Sequence, residues 1–198
     1  MTRGSMILIM ALGGCYESVA PDRPDAGTTT DTAASGRIST TRDTDGTYTT
    51  RVDATSMTAW VHGDVETGAE IADTGAWDLR FQRFHISVNG GASGSGGVMV
   101  APVTGVSFAQ MTAPPTTGWI SDAPDGDDAN NDPDYAFEQG DGWYEYNPTT
   151  HKLTPRPLVW AIQTNGGSTI KLEITRYYDD AGTAGMLELH WAVLAGGH

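Results

Sequence analysis

Residues 158–194 restrict the fold more than any other stretch of this chain. Leu158, Trp160, Ile162 and Thr164 alternate with Val159, Ala161 and Gln163, the period of two that marks a strand. Asn165-Gly166-Gly167-Ser168 follows, and Asn and Gly take the positive φ that a tight reversal needs. Ile170, Leu172 and Ile174 continue on a return strand that ends at Tyr177-Tyr178. Asp179 to Gly185 turns again, and Leu187, Leu189, Trp191 and Val193 share one face of a third strand. The pattern predicts a three-strand antiparallel meander. Three strands with one apolar face support themselves where a lone hairpin is marginal.

Strand signals also recur upstream, at Thr47–Ala54, Ala59–Val65, Trp77–Val88 and Val98–Val106. Within the third of these, Trp77, Leu79 and Phe81 share a face, and so do Phe84, Ile86 and Val88. The phase shifts at Gln82-Arg83, which predicts a bulge or a tight corner. Helical periodicity is weak throughout. The expectation is an all-β, antiparallel sheet domain over residues 46–198 with long irregular loops. Six Trp, seven Tyr and four Phe supply its core, since each ring buries a large area. Most of them lie between Trp60 and Trp191. The longest irregular segment, Gln110 to Asp141, is of a length that marks functional or disordered loops.

The first fifteen residues, MTRGSMILIMALGGC, read as a leader. Arg3 gives a positive start, and Met6 to Leu12 forms an apolar run of signal-peptide length, too short to span a bilayer. Leu12-Gly13-Gly14-Cys15 looks like a bacterial lipobox, in which the cysteine thiol takes a diacylglyceryl group. Several acyl chains give stable anchoring where one is marginal. Cys15 is the chain's single cysteine, so no intrachain disulfide forms. Tyr16, not Asp, follows it, which resembles the sorting of lipoproteins to the outer membrane. The alternative is an ordinary signal peptide with an incidental cysteine. Residues 16–45 are rich in Thr, Ser, Asp, Pro and Ala before the first Tyr of the domain. They bury too little to offset ordering entropy and read as a disordered, flexible tether, with a Thr-rich first strand near the end as the alternative.

Charge excludes some partners. With 11 Lys+Arg against 25 Asp+Glu, the net charge is −14. Nucleic-acid binding needs the opposite sign, as does docking on anionic lipid. Asn89 to Gly97, NGGASGSGG, lacks the spacing and the Lys of a phosphate loop and reads as a backbone device. No G-x-S-x-G, no HExxH and no Ser-His-Asp order is present, so the chain reads as a non-enzyme. Asp122 to Asp134 carries six Asp and two Asn, oxygen ligands suited to Ca²⁺, but without EF-hand spacing. A solvated acidic loop is the favoured reading.

Three stretches in order carry a family resemblance. Trp77-Asp78-Leu79-Arg80-Phe81 with Asn89-Gly90-Gly91-Ala92-Ser93-Gly94 is the first. Gly142-Trp143-Tyr144-Glu145-Tyr146-Asn147 with Thr150-His151 and Pro155 is the second. The segment Trp160 to Tyr178, with Lys171-Leu172 and Tyr177-Tyr178, is the third. Together they resemble the HmuY family of haem-binding lipoproteins over roughly Trp60 to Leu194. The resemblance implies an all-β fold that grips haem between loop fingers, and an exported lipoprotein that passes haem to an outer-membrane transporter. Haem iron in the family is held by two side chains, His or Met, both known axial ligands. On that pattern His151 is the expected ligand, Met111 its partner in the preceding loop, and His85 the fallback. Trp119, Tyr135, Trp143 and Tyr144 are the aromatics expected to stack on the porphyrin. The acidic loop departs from what two propionates favour, because only Lys152 and Arg156 lie near His151 in sequence. A surface lipoprotein of the same fold that binds protein, glycan or another ligand without iron is therefore the alternative.

Overall fold

A computed structural model describes residues 33–34, 36–126 and 131–195. The leader, Cys15 and most of the expected tether lie outside the described residues. Among the described residues every regular element is a strand, and every pairing is antiparallel.

The predicted meander is present as β11 (Val159–Gln163), β12 (Thr169–Tyr178) and β13 (Ala184–Val193). It forms the middle of a seven-stranded sheet. β8 (Met99–Val103) pairs with β11, while β3 (Tyr48–Asp53), β2 (Ile38–Arg42) and the two-residue β1 (Ala33–Ala34) extend the other side. β13, last in the chain, thus sits fourth of seven, between β12 and β3. Its register against β3 runs from Met186 opposite Asp53 to Trp191 opposite Tyr48, and those last two rings stack at 4.2 Å.

β2 falls inside the segment read as a tether. Its alternation is carried by Ile38 and Thr40, both buried. Thr40 Oγ1 and Thr50 Oγ1 share a hydrogen bond at 2.7 Å, and Thr40 also donates to the Gly68 carbonyl. Threonine hydroxyls paired in this way fill buried positions without an unmet polar group. The domain therefore starts before residue 46, and the Thr-rich strand is the alternative that holds near the segment's end.

A second sheet of four strands lies across the first. It contains β4 (Val61–Asp64), β5 (Ala69–Ile71), β6 (Leu79–Gln82) and β7 (His85–Val88), in the order β5-β4-β6-β7. The phase shift at Gln82-Arg83 is a two-residue hairpin turn, with Gln82 opposite His85. Arg83 takes a φ of 55° there, unusual for a side-chain-bearing residue. Its amide donates to the Ala54 carbonyl, and Nη1 donates to the carbonyls of Ala184 and Thr55.

One core fills the space between the sheets. Leu79, Phe81, Ile86 and Val88 from the small sheet meet Val52, Trp160, Ile162, Ile170, Leu172, Leu187, Leu189 and Trp191 from the large one. β11 is buried on both faces, because residues 104–120 cross back over the outer side of the large sheet as a strap. Under the strap, Met111 packs with Ala101, Val159, Ala161 and Leu194, and Phe108 and Trp119 flank them. The Lys171 ammonium pins the strap by donating to the carbonyls of Phe108 at 2.6 Å and Met111 at 3.0 Å. A separate two-stranded hairpin, β9 (Tyr144–Asn147) and β10 (Lys152–Pro155), projects beyond the sheets.

A polar lock joins the turns at one end. Asp78 is buried, and its two carboxylate oxygens accept the amides of Asn165 at 2.8 Å and Val65 at 3.0 Å. Asn89 and Asn165 both donate through Nδ2 to the Trp77 carbonyl. The Gly-rich run 89–97 wraps Asn89 so closely that a Cβ at Gly94 or Gly96 would meet the Asn89 side chain, and one at Gly90 would meet the Val98 carbonyl. It is the backbone device the sequence predicts.

Candidate functional site

The hairpin of β6 and β7 sets the site. Directly opposite residues in an antiparallel pair share a face, so Arg80, Gln82, His85 and Ser87 all stand on the outer side of the small sheet. The chain after the strap folds onto that side. Asp122 is its anchor: Oδ2 accepts the Ser87 hydroxyl at 2.6 Å and the Val88 amide at 3.2 Å, while Oδ1 accepts the Ala136 amide at 2.8 Å. Burial pushes the Asp122 carboxyl above the usual carboxylate range, against the hydrogen bonds that favour its charge.

Anchoring at Ala136 brings a turn over His85. The Glu138 amide donates to the Tyr135 carbonyl, and Glu138 Oε1 meets His85 Nδ1 at 2.9 Å. The His85 ring is 4.1 Å from that of Phe84 and 5.4 Å from that of Tyr135. Beside this group opens a cleft of about 380 Å³, lined by His85, Asp132, Asp134, Tyr135, Glu138 and Gln139 among others. Such a volume lies within the roughly 300–1,000 Å³ of small-molecule sites. Burial, with the nearby Asp132, pushes the Tyr135 phenol up to about 12, so it keeps its proton and serves as a donor.

The aromatic surface continues from Tyr135 to Trp60, whose rings are 5.7 Å apart. Arg80 lies against it, with Cζ 4.4 Å from the Trp60 ring and 5.3 Å from the Trp77 ring. Its Nε donates to Ser87 Oγ at 3.0 Å.

The residues named from sequence are distributed unevenly around this cleft. Tyr135 and His85 line it. Tyr144 packs edge-on against Phe84, 5.9 Å away, and neither ring lines the cleft. Trp143 is 1% exposed in the core, with its indole N–H donated to the Phe84 carbonyl, so it braces the site from below. Trp119 packs under the strap and donates to the Pro115 carbonyl. His151 stands at the exposed turn of the β9–β10 hairpin with a φ of 54°, and its Nδ1 shares a hydrogen bond with the Tyr146 hydroxyl at 2.6 Å. Met111 is buried beneath the strap, 5% exposed.

His151 and Met111 are not brought together. The hairpin rests on the Tyr178 end of β12, where the Leu153 amide donates to the Tyr178 hydroxyl. Met111 is tied to Lys171 near the other end of the same strand. At about 3.3 Å per residue, those anchor points stand on the order of 20 Å apart. Glu138 and Asp122 are the participants that sequence reading did not single out. Glu138 lies 53 positions from His85, and no local spacing signals such a pair.

A protein-family model described as HmuY protein matches residues 56–191. Among solved structures, a candidate lipoprotein of Bacteroides fragilis superposes with a TM-score of 0.57 at 18% identity, covering 73% of this chain and 89% of that one. A candidate HmuY-like haem-binding protein of Bacteroides vulgatus gives 0.56 at 15% identity, over 73% and 90%. The apo HmuY analogue of Tannerella forsythia gives 0.55 at 16% identity, over 75% and 95%. At these identities the structures establish a common fold. No curated protein matches the chain.

Proposed function

The chain belongs to the HmuY family, and on that premise we propose that it is a non-enzymatic haem-binding lipoprotein of the cell envelope whose iron ligand is His85. The reading rests on one observation: the His85 imidazole is held at Nδ1 by the Glu138 carboxylate, 2.9 Å away, at the mouth of the cleft. An imidazole that ligates a metal typically donates its other nitrogen to a carboxylate or carbonyl, which fixes the ring and raises its basicity. With Nδ1 so committed, Nε2 is the nitrogen left for iron. Haem bound here would supply an iron centre of the kind that His holds in many haem proteins. Tyr135 offers an aromatic wall and a phenol donor. Phe84 packs against the His85 ring, and Tyr144 against Phe84.

His151, on a projecting and exposed hairpin, is the second candidate ligand, delivered from a separate finger of the fold. Met111 supports the strap, and a role for it as a ligand would require the strap to open. Anchoring through Cys15 in the outer membrane, and transfer of haem to a transporter there, complete the proposal. The candidate lipoprotein of the same fold supports the anchor. The second reading, a ligand without iron, draws support from Asp132, Asp134 and Glu138 in the cleft lining, since carboxylates repel propionates.

The test is a haemin titration of the full chain in detergent, followed by absorbance, beside His85→Ala, His151→Ala and Met111→Ala. A saturable one-to-one Soret band that His85→Ala blunts supports the proposal. A band untouched in His85→Ala but lost in His151→Ala moves the ligand to the hairpin. A flat titration of the parent chain leaves the iron-free reading.

A further inference from the structure

Residues 104–120, the strap over the outer side of the large sheet, contain no charged side chain. The groups that hold the strap at Phe108 are ionisable side chains of the sheet beneath. Lys171 Nζ donates to the carbonyls of Phe108 and Met111 and lies 4.3 Å from the Phe108 ring. The same ring stacks on the His190 imidazole, with 4.1 Å between centroids and 28° between planes. His190 Nδ1 in turn meets Glu173 Oε1 at 2.9 Å, and both side chains are partly exposed. Close by, the strap is not sealed: a groove of about 240 Å³ opens along Val103, Val106, Met111 and Pro115.

We infer that His190 makes the strap a pH-sensitive cover, held down more tightly in acid than in weak alkali. The strap and the His85 cleft lie on the outer sides of different sheets, so the inference goes beyond the haem reading and does not depend on it. Histidine is the side chain that changes charge between about pH 5 and pH 8. When the imidazole gains its proton, its contact with Phe108 becomes a cation–ring attraction. The bond to Glu173 becomes one between opposite charges, which keeps the imidazole in place beneath Phe108. The closed strap thus gains an attraction on protonation that an open strap lacks, and by linkage acid favours closure. The other charged groups that face the imidazole come from each neighbouring element. β12 adds Lys171, two residues from Glu173 on the same face. The turn before β3 adds Asp45, which Thr47 and, less strongly, His190 hold below the usual carboxylate range. It also adds Asp43, bonded to Thr49 directly opposite His190. β13 itself adds Glu188, which is matched by Arg51 of β3. The strap adds none.

Methionine oxidation reads the opening with a reference inside the same molecule. Met111 is 5% exposed beneath the strap, whereas Met57 is 80% exposed. Dilute hydrogen peroxide transfers one oxygen to a thioether sulfur, giving the sulfoxide and water. The full chain in detergent, without haemin, is treated at about pH 8 and about pH 5.5, and peptide mass spectrometry gives the rate at Met111 relative to Met57. The parent chain is compared with His190→Gln and Phe108→Leu. The parent ratio is expected to fall about threefold from the higher pH to the lower, the scale of one partly exposed cation–ring contact. Both variants are expected to lose that dependence, Phe108→Leu while keeping an apolar side chain over the sheet. A parent ratio equal at the two pH values overturns the inference. So does a fall that persists in His190→Gln, as it would if Met111 reacted through unfolding of the whole domain. A fall lost in His190→Gln but kept in Phe108→Leu overturns it too, because the imidazole then acts through something other than the strap. Urea midpoints establish that each variant is folded at both pH values, and if one is not, the other decides alone.

Discussion

The carboxylate of Asp122 accepts the amide of Ala136 at 2.8 Å, across fourteen positions of the chain. Its other oxygen serves Ser87 and Val88 on β7. One buried side chain therefore fixes the loop that carries Tyr135 and Glu138 to the strand that carries His85. Asp122→Ala leaves three donors unmet in a buried place. At about 1–3 kcal/mol for each unsatisfied group, the cost is on the order of 3 kcal/mol or more. Chemical denaturation measures it, and hydrogen exchange over residues 131–141 is expected to accelerate beyond the change in global stability.

Asp78 predicts a dependence on pH. Burial raises its carboxyl to about 6 from an ordinary 3.8, against the amides of Asn165 and Val65, with Asp64 and Glu66 adding to the rise. The native state thus holds the proton more tightly than the unfolded chain. The sign follows: this residue's contribution to stability grows as pH falls from about 6 towards 4, and is lost as pH rises through 6. About two pH units of displacement correspond to roughly 3 kcal/mol at most. Asp64→Asn removes one of the repelling charges while keeping an acceptor for the Thr67 amide, which Asp64 now receives. Urea midpoints at pH 5 and pH 7 are expected to differ less in this variant, and its stability at pH 7 to be higher. An unaltered difference would show that Asp64 does not govern Asp78.

Met111→Ala tests the strap. Met111 is 5% exposed over Ala101, Val159 and Ala161, and truncating a buried methionine costs about 2–5 kcal/mol. Urea unfolding reads that loss. Haemin affinity is expected to stay within a factor of about two, since stability and binding at separate sites are largely independent. A selective loss of the Soret band with normal stability would return Met111 to the iron.

Lys171→Met removes the ammonium that pins the carbonyls of Phe108 and Met111. The methionine keeps the apolar contact with Phe108, whose ring lies 4.3 Å from Nζ. The two carbonyls regain water only if the strap lifts. A destabilisation of about 1–3 kcal/mol is expected, with faster hydrogen exchange confined to residues 107–113. Global exchange at the rate of unfolding, with no local excess, would mean that the strap does not open separately.

The sequence revealed the strands whose side chains alternate and whose turns carry Gly or Asn. The meander from Val159 to Val193 belongs to that class, whereas the hairpin from Leu79 to Val88 shows the alternation but turns on Arg83-Phe84, with neither residue type. Ile38–Arg42 was harder to see, because threonine marks both a strand and a polar tether. Only its pairing with Tyr48–Asp53 resolves the two. The candidate site was legible as far as Tyr135 and His85, each named individually. Their assembly was not, because it depends on Asp122 and Glu138 meeting β7 across 34 to 53 positions. Met111 was named from its place in a loop without His, whereas its burial follows from the apolar outer face of β11.

The position of β13 bears on how the chain comes to be made. The strand at the centre of the large sheet is built from residues 184–193, and its neighbour β3 from residues 48–53. While a nascent chain is still emerging, β3 has no permanent partner on that side, and the core has no Leu187, Leu189 or Trp191. Such distant pairing is slow to form. A sheet with residues 184–193 at its centre has an incomplete core until those residues are made.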